Sequence, residues 1–320
     1  MKTILTISLI TLMVFFTKGQ DKHLFLLSGQ SNMGNLDPST SFKPIIRAAF
    51  PDDEVFFVKW AKGGNSIRNW IDKDENGELK THRHFITLNK LAKEELTKNK
   101  VDKKELTTVT FLWMQGEADH DTTKVKSVNS TANYKIYLEA LIAALEKEYA
   151  PVSFNVVIGR LNDARLKPGT DEWRVKNWSA IRKIQEEVAS KHKSGAWIDT
   201  DDMNDEMALK RGANGKVAVD EQGNKLYEYQ PGLIGYDVHG SDLGYKKMGI
   251  RFATEAIALI SGQRPVIDEA AFVIRCKDGL DNYKGKYITP LIDPTYQTNN
   301  PEGSCSSKPV MLSDIFPATN

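Results

Sequence analysis

Short apolar runs bounded by turn residues recur along the chain. They are hydrophobic over most of their length rather than alternating with polar residues, which is typical of strands buried on both faces of a sheet. The pattern therefore predicts five buried strands, at residues 23–28, 54–61, 107–115, 154–160 and 196–199.

Four further segments carry apolar residues at the helical spacings i, i+3, i+4 and i+7. Buried strands that alternate with helices predict an α/β domain with a mostly parallel sheet and helices on both sides. In such sheets, ligands bind beyond the carboxyl ends of the strands. The predicted helical faces are Phe85, Leu88, Leu91, Ala92 and Leu96; Tyr134, Tyr137, Leu138, Leu141, Ile142 and Leu145; Ile181, Ile184 and Val188; and Met248, Phe252, Ala256 and Leu259.

Three regions lie outside this alternation. Residues 1–19 combine a lysine, an apolar run and small residues, which is typical of a signal peptide. Residues 203–235 are rich in glycine and charge, with a turn signal at 220–224, and are interpreted as an inserted hairpin or flap. Residues 262–320 are rich in proline without helical period, and we expect an irregular extension that packs on the domain. Residues 20–261 are therefore predicted to form one domain.

The predicted leader implies export to the periplasm or the extracellular space. In an exported chain, the pair Cys276 and Cys305 more often forms a disulfide than a metal site. The formal net charge is +1, and it becomes −1 when Lys2 and Lys18 leave with the leader. Neither value favours nucleic acid or an anionic membrane surface as a partner. The apolar run is shorter than the roughly 18 residues of a membrane-spanning helix, although an uncleaved anchor is the alternative. The oligomeric state stays open.

The first strand ends in residues that suit nucleophilic chemistry. Gly29 permits a sharp turn, after which Ser31 would stand at the mouth of the sheet between Gln30 and Asn32. A serine hydroxyl becomes a nucleophile when a base takes its proton, and the oxyanion formed on an attacked carbonyl needs N–H donors. The alternative is that Ser31 only caps the next helix.

The ends of the second and third strands carry related signals. Gly63 and Gly64 let the backbone approach a ligand and present N–H groups, with a plain turn as the alternative. The third strand runs into Gln115 and Glu117, which in the simpler interpretation are only solvated loop residues. Polar clusters at three successive strand ends favour a ligand site at this edge of the sheet.

His239 is the predicted base among the six histidines, because it falls in a loop just before the last amphipathic helix. Asp237, two residues earlier, would orient its imidazole. The order Ser, Asp, His is compatible with a catalytic triad, which is recognised by roles rather than by sequence position. The other histidines are predicted to be structural or exposed: His23, His82, His84, His120 and His192.

Four motifs resemble the SGNH hydrolase superfamily: GQSNM at 29–33, AxGGxxIxxW at 61–70, WMQGEAD at 113–119 and HxxxxGYxxMG at 239–249. More narrowly, they resemble its branch of sialate O-acetylesterases and carbohydrate esterase family 6, which includes acetylxylan esterases. The resemblance covers about residues 22–261. It implies a three-layer α/β/α sandwich on a mostly parallel, flavodoxin-like sheet.

The resemblance also implies roles for single residues. Ser31 would be the nucleophile and His239 the general base. The oxyanion hole would consist of the backbone N–H groups of Ser31 and Gly64 with the side-chain amide of Gln115. The substrate would be an acetylated carbohydrate, such as a glycan or a sialic acid, and no metal or other cofactor would be needed. The residues that support the site or contact substrate would be Gln30, Asn32, Gly63, Asn65 and Glu117.

Two positions depart from the family pattern. The acid usually stands three residues before the histidine, where this chain has Tyr236, and Asp237 follows one residue later. Either Asp237 still reaches the imidazole, or a Ser–His dyad works with a carbonyl or another carboxylate. Asn65 stands where the branch has serine or threonine, which would alter substrate contacts while keeping the glycine N–H.

Several alternatives stand beside this interpretation. A hydrolase of the same superfamily that acts on lipid or thioester chains would need a long apolar groove, and a non-catalytic carbohydrate-binding protein could keep the scaffold. Residues 72–83 have most of the oxygen ligands of a calcium-binding loop, but Arg83 replaces the final glutamate, so a turn between short strands is predicted. Trp70 is predicted to be core, with a ring that faces sugar as the alternative.

Overall fold

The computed structural model describes residues 19–120, 130–166, 169–203, 207–219, 227–229 and 238–267. Within them the strands are β1 (Lys22–Gly29), β2 (Glu54–Ala61), β3 (Ile71–Lys73), β4 (Leu79–Thr81), β5 (Thr108–Met114), β6 (Ser153–Gly159), β7 (Gly195–Ile198), β8 (Met207–Leu209) and β9 (Tyr227–Tyr229). The α-helices are α1 (Ser31–Asn35), α2 (Phe42–Ala49), α3 (Arg83–Lys98), α4 (Ser130–Tyr149), α5 (Glu172–Lys191) and α6 (Asp242–Ser261).

Five strands form one parallel sheet in the order β2-β1-β5-β6-β7. They correspond to the five apolar runs, so the predicted strands and the parallel sheet are confirmed. This order is flavodoxin-like, because the chain first adds a strand on one side of β1 and then adds the others on the opposite side. The switch point lies between β1 and β5, and ligands in such folds bind beyond the carboxyl ends of those strands.

Helices cover both faces of the sheet. On one face, α2 packs against α6, which contacts β6 and β7; on the other, α3 contacts β2 and α4 packs against α5. Right-handed crossovers account for this division. The chain crosses the sheet in one direction from β1 to β2 and in the opposite direction from β2 to β5, β6 and β7, so the connecting helices fall on opposite faces. The strand β1, which lies between β2 and β5, contributes four apolar side chains without exposed surface, at positions 24–27. The predicted three-layer sandwich is therefore confirmed.

Two short antiparallel pairs stand outside the central sheet. β3 pairs with β4, so residues 72–83 contain the predicted turn between short strands. Oδ1 of Asp74 accepts hydrogen bonds of 2.9 Å from the N–H groups of Asn76 and Glu78, which closes this turn. β8 pairs with β9 inside residues 203–235, and the inserted hairpin or flap as a whole stays a prediction, since part of it lies outside the described residues.

In the part of the chain that the structure describes, no helix combines the length and apolarity needed to cross a membrane. Over the same residues, no group of three or more histidine, cysteine, aspartate or glutamate side chains gathers as metal ligands would. The domain limits of 20–261 and the packing of residues 262–320 stay predictions, because nearly all of that extension lies outside the described residues.

Candidate active site

The chain makes a tight turn at the end of β1. Gly29 has a φ of +149°, and a Cβ atom there would collide with the carbonyl group of Met114 at the end of β5. The N–H of Gln30 donates a hydrogen bond of 3.0 Å to the same carbonyl oxygen. Only glycine permits this approach, and α1 begins directly afterwards at Ser31. The turn thus puts the serine at the switch point of the sheet.

Ser31 lies beside His239. Nε2 of His239 is 3.0 Å from Oγ of Ser31, although the two residues are 208 positions apart in the sequence. The histidine loop is fixed by the start of α6, where Oγ of Ser241 accepts a hydrogen bond of 3.1 Å from Gly244 N–H. The N–H of Ser241 also donates to the carbonyl oxygen of Met203 at 3.0 Å. The predicted nucleophile and base therefore meet in the structure.

Asn32 connects the nucleophile turn to the histidine loop. Its Nδ2 group donates to Oε1 of Glu117 at 2.5 Å and to the carbonyl oxygen of Val238 at 2.9 Å. Its Oδ1 accepts a hydrogen bond of 2.9 Å from the Tyr245 hydroxyl. Asn32 is 1% exposed, and a buried amide with three partners has a single favoured orientation. Asn32 directly follows the nucleophile Ser31, and it bonds Val238, the residue directly before the base His239. One fixed side chain therefore links the two.

Two buried carboxyl groups lie behind this contact. Burial raises the pKa of Glu117, opposed by the hydrogen bonds that its carboxylate receives from backbone N–H groups and Asn32. Oδ2 of Asp119 accepts from the N–H of Ile67 at 3.0 Å and from Nε2 of Gln115 at 2.5 Å. Burial raises the pKa of Asp119 to about 7. Asp119 therefore ties the loop after β5 to the loop after β2 and titrates near neutral pH.

Gln115 is fully buried between three strand ends. Besides its bond to Asp119, its Nε2 lies 3.1 Å from Oε1 of Gln30 and 3.2 Å from the carbonyl oxygen of Asn65. Oε1 of Gln30 also accepts from the N–H of Ala118 at 3.1 Å. The oxyanion role of Gln115 stays a prediction, because the two N–H hydrogens of its amide have protein acceptors in this structure.

The loop after β2 runs directly past Ser31. A Cβ atom on Gly63 would lie 3.7 Å from Cβ of Ser31, and Gly64 has a φ of +69° with open space beside it. Nδ2 of Asn65 donates to the carbonyl oxygen of Gly63 at 2.9 Å, which closes the turn. Gly63 therefore presents backbone without a side chain next to the serine, and Gly64 leaves open space in the same loop.

Other predicted positions have different outcomes. Trp70 has no exposed surface, and its indole N–H donates to Oγ of Ser28 at 2.9 Å, so the alternative of a ring that faces sugar is wrong. Asp237 lies outside the described residues, and its role in orienting the imidazole stays a prediction. The disulfide between Cys276 and Cys305 is likewise outside the described residues.

Three contributors to the site carry little signal of their own in the sequence. Asn162, after β6, donates to the carbonyl oxygen of Val238 at 3.3 Å. His84, in α3, contacts Asn65. Tyr245 falls within the motif at 239–249, and its place in that motif is the only sequence feature that connects it with the site. The partners of all three are distant along the chain, so local periodicity cannot identify them.

This arrangement suits acyl transfer. A hydroxyl within hydrogen-bond distance of an imidazole nitrogen can be deprotonated as it attacks, and backbone N–H groups beside it can stabilise an oxyanion. A family model described as "carbohydrate esterase, sialic acid-specific acetylesterase" matches residues 34–221, more than half of the chain. That range includes neither Ser31 nor His239, so their contact is an observation independent of the match. No protein with a curated description matches the chain.

Several solved structures are similar at low identity. A protein from Arabidopsis thaliana is 15% identical, with a TM-score of 0.43 over 76% of this chain and 98% of that chain. A variant of Axe2, an acetyl xylan esterase from Geobacillus stearothermophilus, is 14% identical, with a TM-score of 0.38 over 78% and 97%. A lipase/acylhydrolase from Enterococcus faecalis is 15% identical, with a TM-score of 0.36 over 75% and 96%. The family-model match is sufficient by itself: the chain belongs to the carbohydrate esterase family of sialic acid-specific acetylesterases.

Proposed function

We propose that this protein is an exported serine esterase that removes O-acetyl groups from carbohydrate. The observation that carries the proposal is the 3.0 Å contact between Nε2 of His239 and Oγ of Ser31 at the switch point of the sheet. Membership of the carbohydrate esterase family supports an acetylated sugar as the substrate. Acetylated glycans and O-acetylated sialic acids both fit this description.

The first half of the reaction forms an acetyl-enzyme. Oγ of Ser31 attacks the acetyl carbonyl carbon while Nε2 of His239 takes the hydroxyl proton. Negative charge collects on the carbonyl oxygen, where the backbone N–H groups of Ser31 and Gly64 stabilise it. Gln115 joins them by exchanging one of its protein acceptors for the oxyanion. The bond to the sugar oxygen then breaks, and His239 gives its proton to the leaving sugar hydroxyl.

The second half releases acetate. His239 takes a proton from a water molecule, which attacks the ester carbon of acetyl-Ser31. The tetrahedral intermediate collapses, and the histidine returns the proton to Oγ of Ser31. Apart from the substrate and water, every group in these steps belongs to the protein, so the proposed mechanism uses no cofactor.

The supporting residues hold these groups in place. Asp237 orients the imidazole of His239 in the proposed triad. Asn32 fixes the spacing between the nucleophile turn and the histidine loop through its 2.9 Å hydrogen bond to the carbonyl oxygen of Val238, and its 2.5 Å bond to Glu117 ties both to the loop after β5. The loop of Gly63 and Asn65 faces the substrate. Gln115 links this loop to the third strand end through the carbonyl oxygen of Asn65, and Gln30 accepts from Gln115 at the end of the first strand.

Export and the C-terminal cysteines belong to the same proposal. A leader over residues 1–19 would be removed before Gln20, and an oxidising destination would allow Cys276 and Cys305 to form a disulfide. N-terminal sequencing of the protein from the culture medium or periplasm tests the first point. A thiol titration before and after reduction tests the second.

Acetate release tests the reaction. Wild type, Ser31→Ala, His239→Ala, Asp237→Asn and Ser39→Ala are compared on 4-nitrophenyl acetate, acetylated xylan and O-acetylated sialic acid. Loss of Ser31 or His239 should lower kcat/KM at least about a thousandfold. Ser39→Ala is the matched control, because Ser39 is an exposed serine on a nearby turn.

The remaining outcomes separate the alternatives. A large loss in Asp237→Asn indicates a triad, and a small loss indicates a Ser–His dyad. A wild type that cleaves only longer acyl chains is a lipase or thioesterase instead. A wild type that binds acetylated glycan without releasing acetate is a carbohydrate-binding protein.

A further inference from the structure

The loop after β2 is held from behind by a histidine of α3. Nε2 of His84, at the start of that helix, lies 3.1 Å from Oδ1 of Asn65. Nη2 of Arg83 lies 3.1 Å from the same oxygen. Nδ2 of Asn65 donates to the carbonyl oxygen of Gly63 at 2.9 Å. The Asn65 side chain therefore links α3 to the glycine backbone beside the nucleophile.

The hydrogen bonds of His84 fix its tautomer. Nε1 of Trp60 can only donate, and it lies 3.1 Å from Nδ1 of His84, so Nδ1 is the acceptor. The ring proton is therefore on Nε2, where it is donated to Oδ1 of Asn65. The imidazole can make both bonds only while it is neutral.

The surroundings keep His84 neutral. The residue is 6% exposed. Burial, together with the positive charges of Arg83, His82 and Lys62, lowers the pKa of His84 to about 4. The bond to Asn65 is therefore present throughout the neutral and mildly acidic range.

The frame around His84 is anchored to the strand that leads to the nucleophile. The ring centroids of His84 and Trp70 are 4.6 Å apart. Nε1 of Trp70 donates to Oγ of Ser28 at 2.9 Å, and that hydroxyl donates to the carbonyl oxygen of Trp60 at 2.7 Å. Ser28 belongs to β1 and precedes Ser31 by one short turn. Buried hydrogen bonds therefore connect the histidine to both sides of the site.

We propose that His84 is a positioning residue for the oxyanion hole: through Asn65, it holds the backbone of Gly63 and Gly64 at the distance from Ser31 that the oxyanion requires. His84 itself touches neither substrate nor reacting atoms. The asparagine amide bonds the glycine carbonyl through Nδ2 and the histidine through Oδ1, so one side chain links the two. The inference rests on the proposed roles of Ser31 and Gly64.

Kinetics of His84→Ala and Asn65→Ala test this role. We expect kcat for 4-nitrophenyl acetate to fall about 10–100-fold, because small displacements of catalytic groups have effects of this size. KM should stay within about twofold, since the ground-state ester carries no oxyanion. The double variant should lose less than the product of the single losses, because both changes break the same contact. Phenylboronic acid, whose adduct with Ser31 places an oxygen in the hole, should bind more weakly by a factor similar to the loss in kcat.

A conservative variant and a matched control separate positioning from general loss of stability. His84→Gln keeps one donor and one acceptor and should recover part of kcat. His23→Ala removes another buried histidine, 2% exposed, whose two ring nitrogens are hydrogen-bonded at the opposite edge of the sheet. Both alanine variants should be less stable, but only His84→Ala should lose kcat per folded molecule. Amide hydrogen exchange over residues 62–67 should accelerate in His84→Ala and not in His23→Ala.

The outcomes distinguish this inference from the proposed function. Wild-type kcat and unchanged exchange in His84→Ala overturn the inference and leave the esterase intact. Equal losses of kcat in His84→Ala and His23→Ala also overturn it, because instability then explains both. If the wild type releases no acetate, the proposed function fails, and hydrogen exchange alone still decides whether His84 holds the loop.

Discussion

Each edge of the central sheet holds a histidine against a hydroxyl group. At the amino edge, Nδ1 of His23 lies 2.9 Å from Oγ1 of Thr108, and Nε2 lies 3.3 Å from Oδ2 of Asp53. At the carboxyl edge, Nε2 of His239 lies 3.0 Å from Oγ of Ser31. By distances alone, the acid, histidine and hydroxyl of the amino edge resemble a catalytic triad.

The surroundings of the two hydroxyl groups differ. Thr108 is 8% exposed and belongs to β5, in register with residues of β1 and β6, so its backbone is part of the sheet ladder. Ser31 is half-buried and follows a glycine turn beyond the end of its strand, beside the backbone of Gly63. A developing oxyanion needs backbone N–H groups that the ladder does not use, together with access for substrate. A hydrogen-bonded histidine and hydroxyl therefore indicate a site only where the chain has left the ladder.

The largest effect expected from this comparison separates the two histidines. His239→Ala should lower kcat/KM at least about a thousandfold, because it removes the general base. His23→Ala should leave kcat within about twofold of wild type, since its contacts lie at the other edge of the sheet. Acetate release, measured under conditions where both variants are folded, gives the difference. Similar losses in both variants would contradict the assignment of the site to the carboxyl edge.

Asn32 allows a finer comparison within the carboxyl edge. Asn32→Ala should lower kcat about 10–100-fold with little change in KM, because Ser31 and His239 lose their shared support. Asn35→Ala is the matched control. Of the three partners of Asn32, the Asn35 side chain shares only Tyr245, whose hydroxyl accepts from Nδ2 of Asn35 at 2.9 Å. Steady-state kinetics of both variants provide the test. An equal effect of the two substitutions would mean that Tyr245, rather than the bonds to Glu117 and Val238, carries the coupling.

At the amino edge, the expected effect is on stability. His23→Ala leaves the hydroxyl of Thr108 buried without its imidazole partner, and the free energy of unfolding should fall by about 1–3 kcal/mol. His23→Leu combined with Thr108→Val removes both polar partners and should recover part of that loss. Urea denaturation measures both values. An unchanged midpoint in His23→Ala would show that this array is not a stabilising contact.

A further effect on stability is a pH dependence at Asp119. Its pKa is raised to about 7 by burial, whereas an unfolded chain releases this proton near pH 4. The folded state therefore binds more protons between these values, and the contribution of Asp119 to stability falls as pH rises through that window. Asp119→Asn cannot ionise, so its Tm relative to wild type should increase from pH 5 to pH 8. A constant difference in Tm would contradict the raised pKa.

Much of the sheet could be predicted, because a buried strand or an amphipathic helix determines the character of consecutive residues. The five apolar runs and four helical faces match β1, β2, β5, β6, β7 and α3 to α6. The helix α2 was not predicted, although Phe42, Ile45 and Ile46 form its buried face. Pro44 obscures this pattern, yet it lies in the first turn, where proline displaces no intrahelical hydrogen bond.

The site could be predicted only in part. Ser31 and His239 lie in recognisable motifs, so their residue types and order carried the prediction. The bonds of Asn32 to Glu117 and Tyr245 join residues 85 and 213 positions apart, and such pairs depend on how the strand ends meet in space. Trp70 was predicted to be core, which its complete burial confirms, and only the alternative of a sugar contact, suggested by its position near the glycine loop, is wrong.

The separation of Ser31 and His239 also affects when the protein becomes active. Ser31 follows β1 and His239 precedes α6, so 208 positions of chain are closed into a loop by their contact. Collapse of the sheet alone cannot complete the pair, because docking of α6 must bring the histidine into place. During refolding, ester hydrolysis should therefore lag behind the recovery of secondary structure. A chain that crosses a membrane unfolded would carry its nucleophile without its base, and hydrolysis would begin only at its destination.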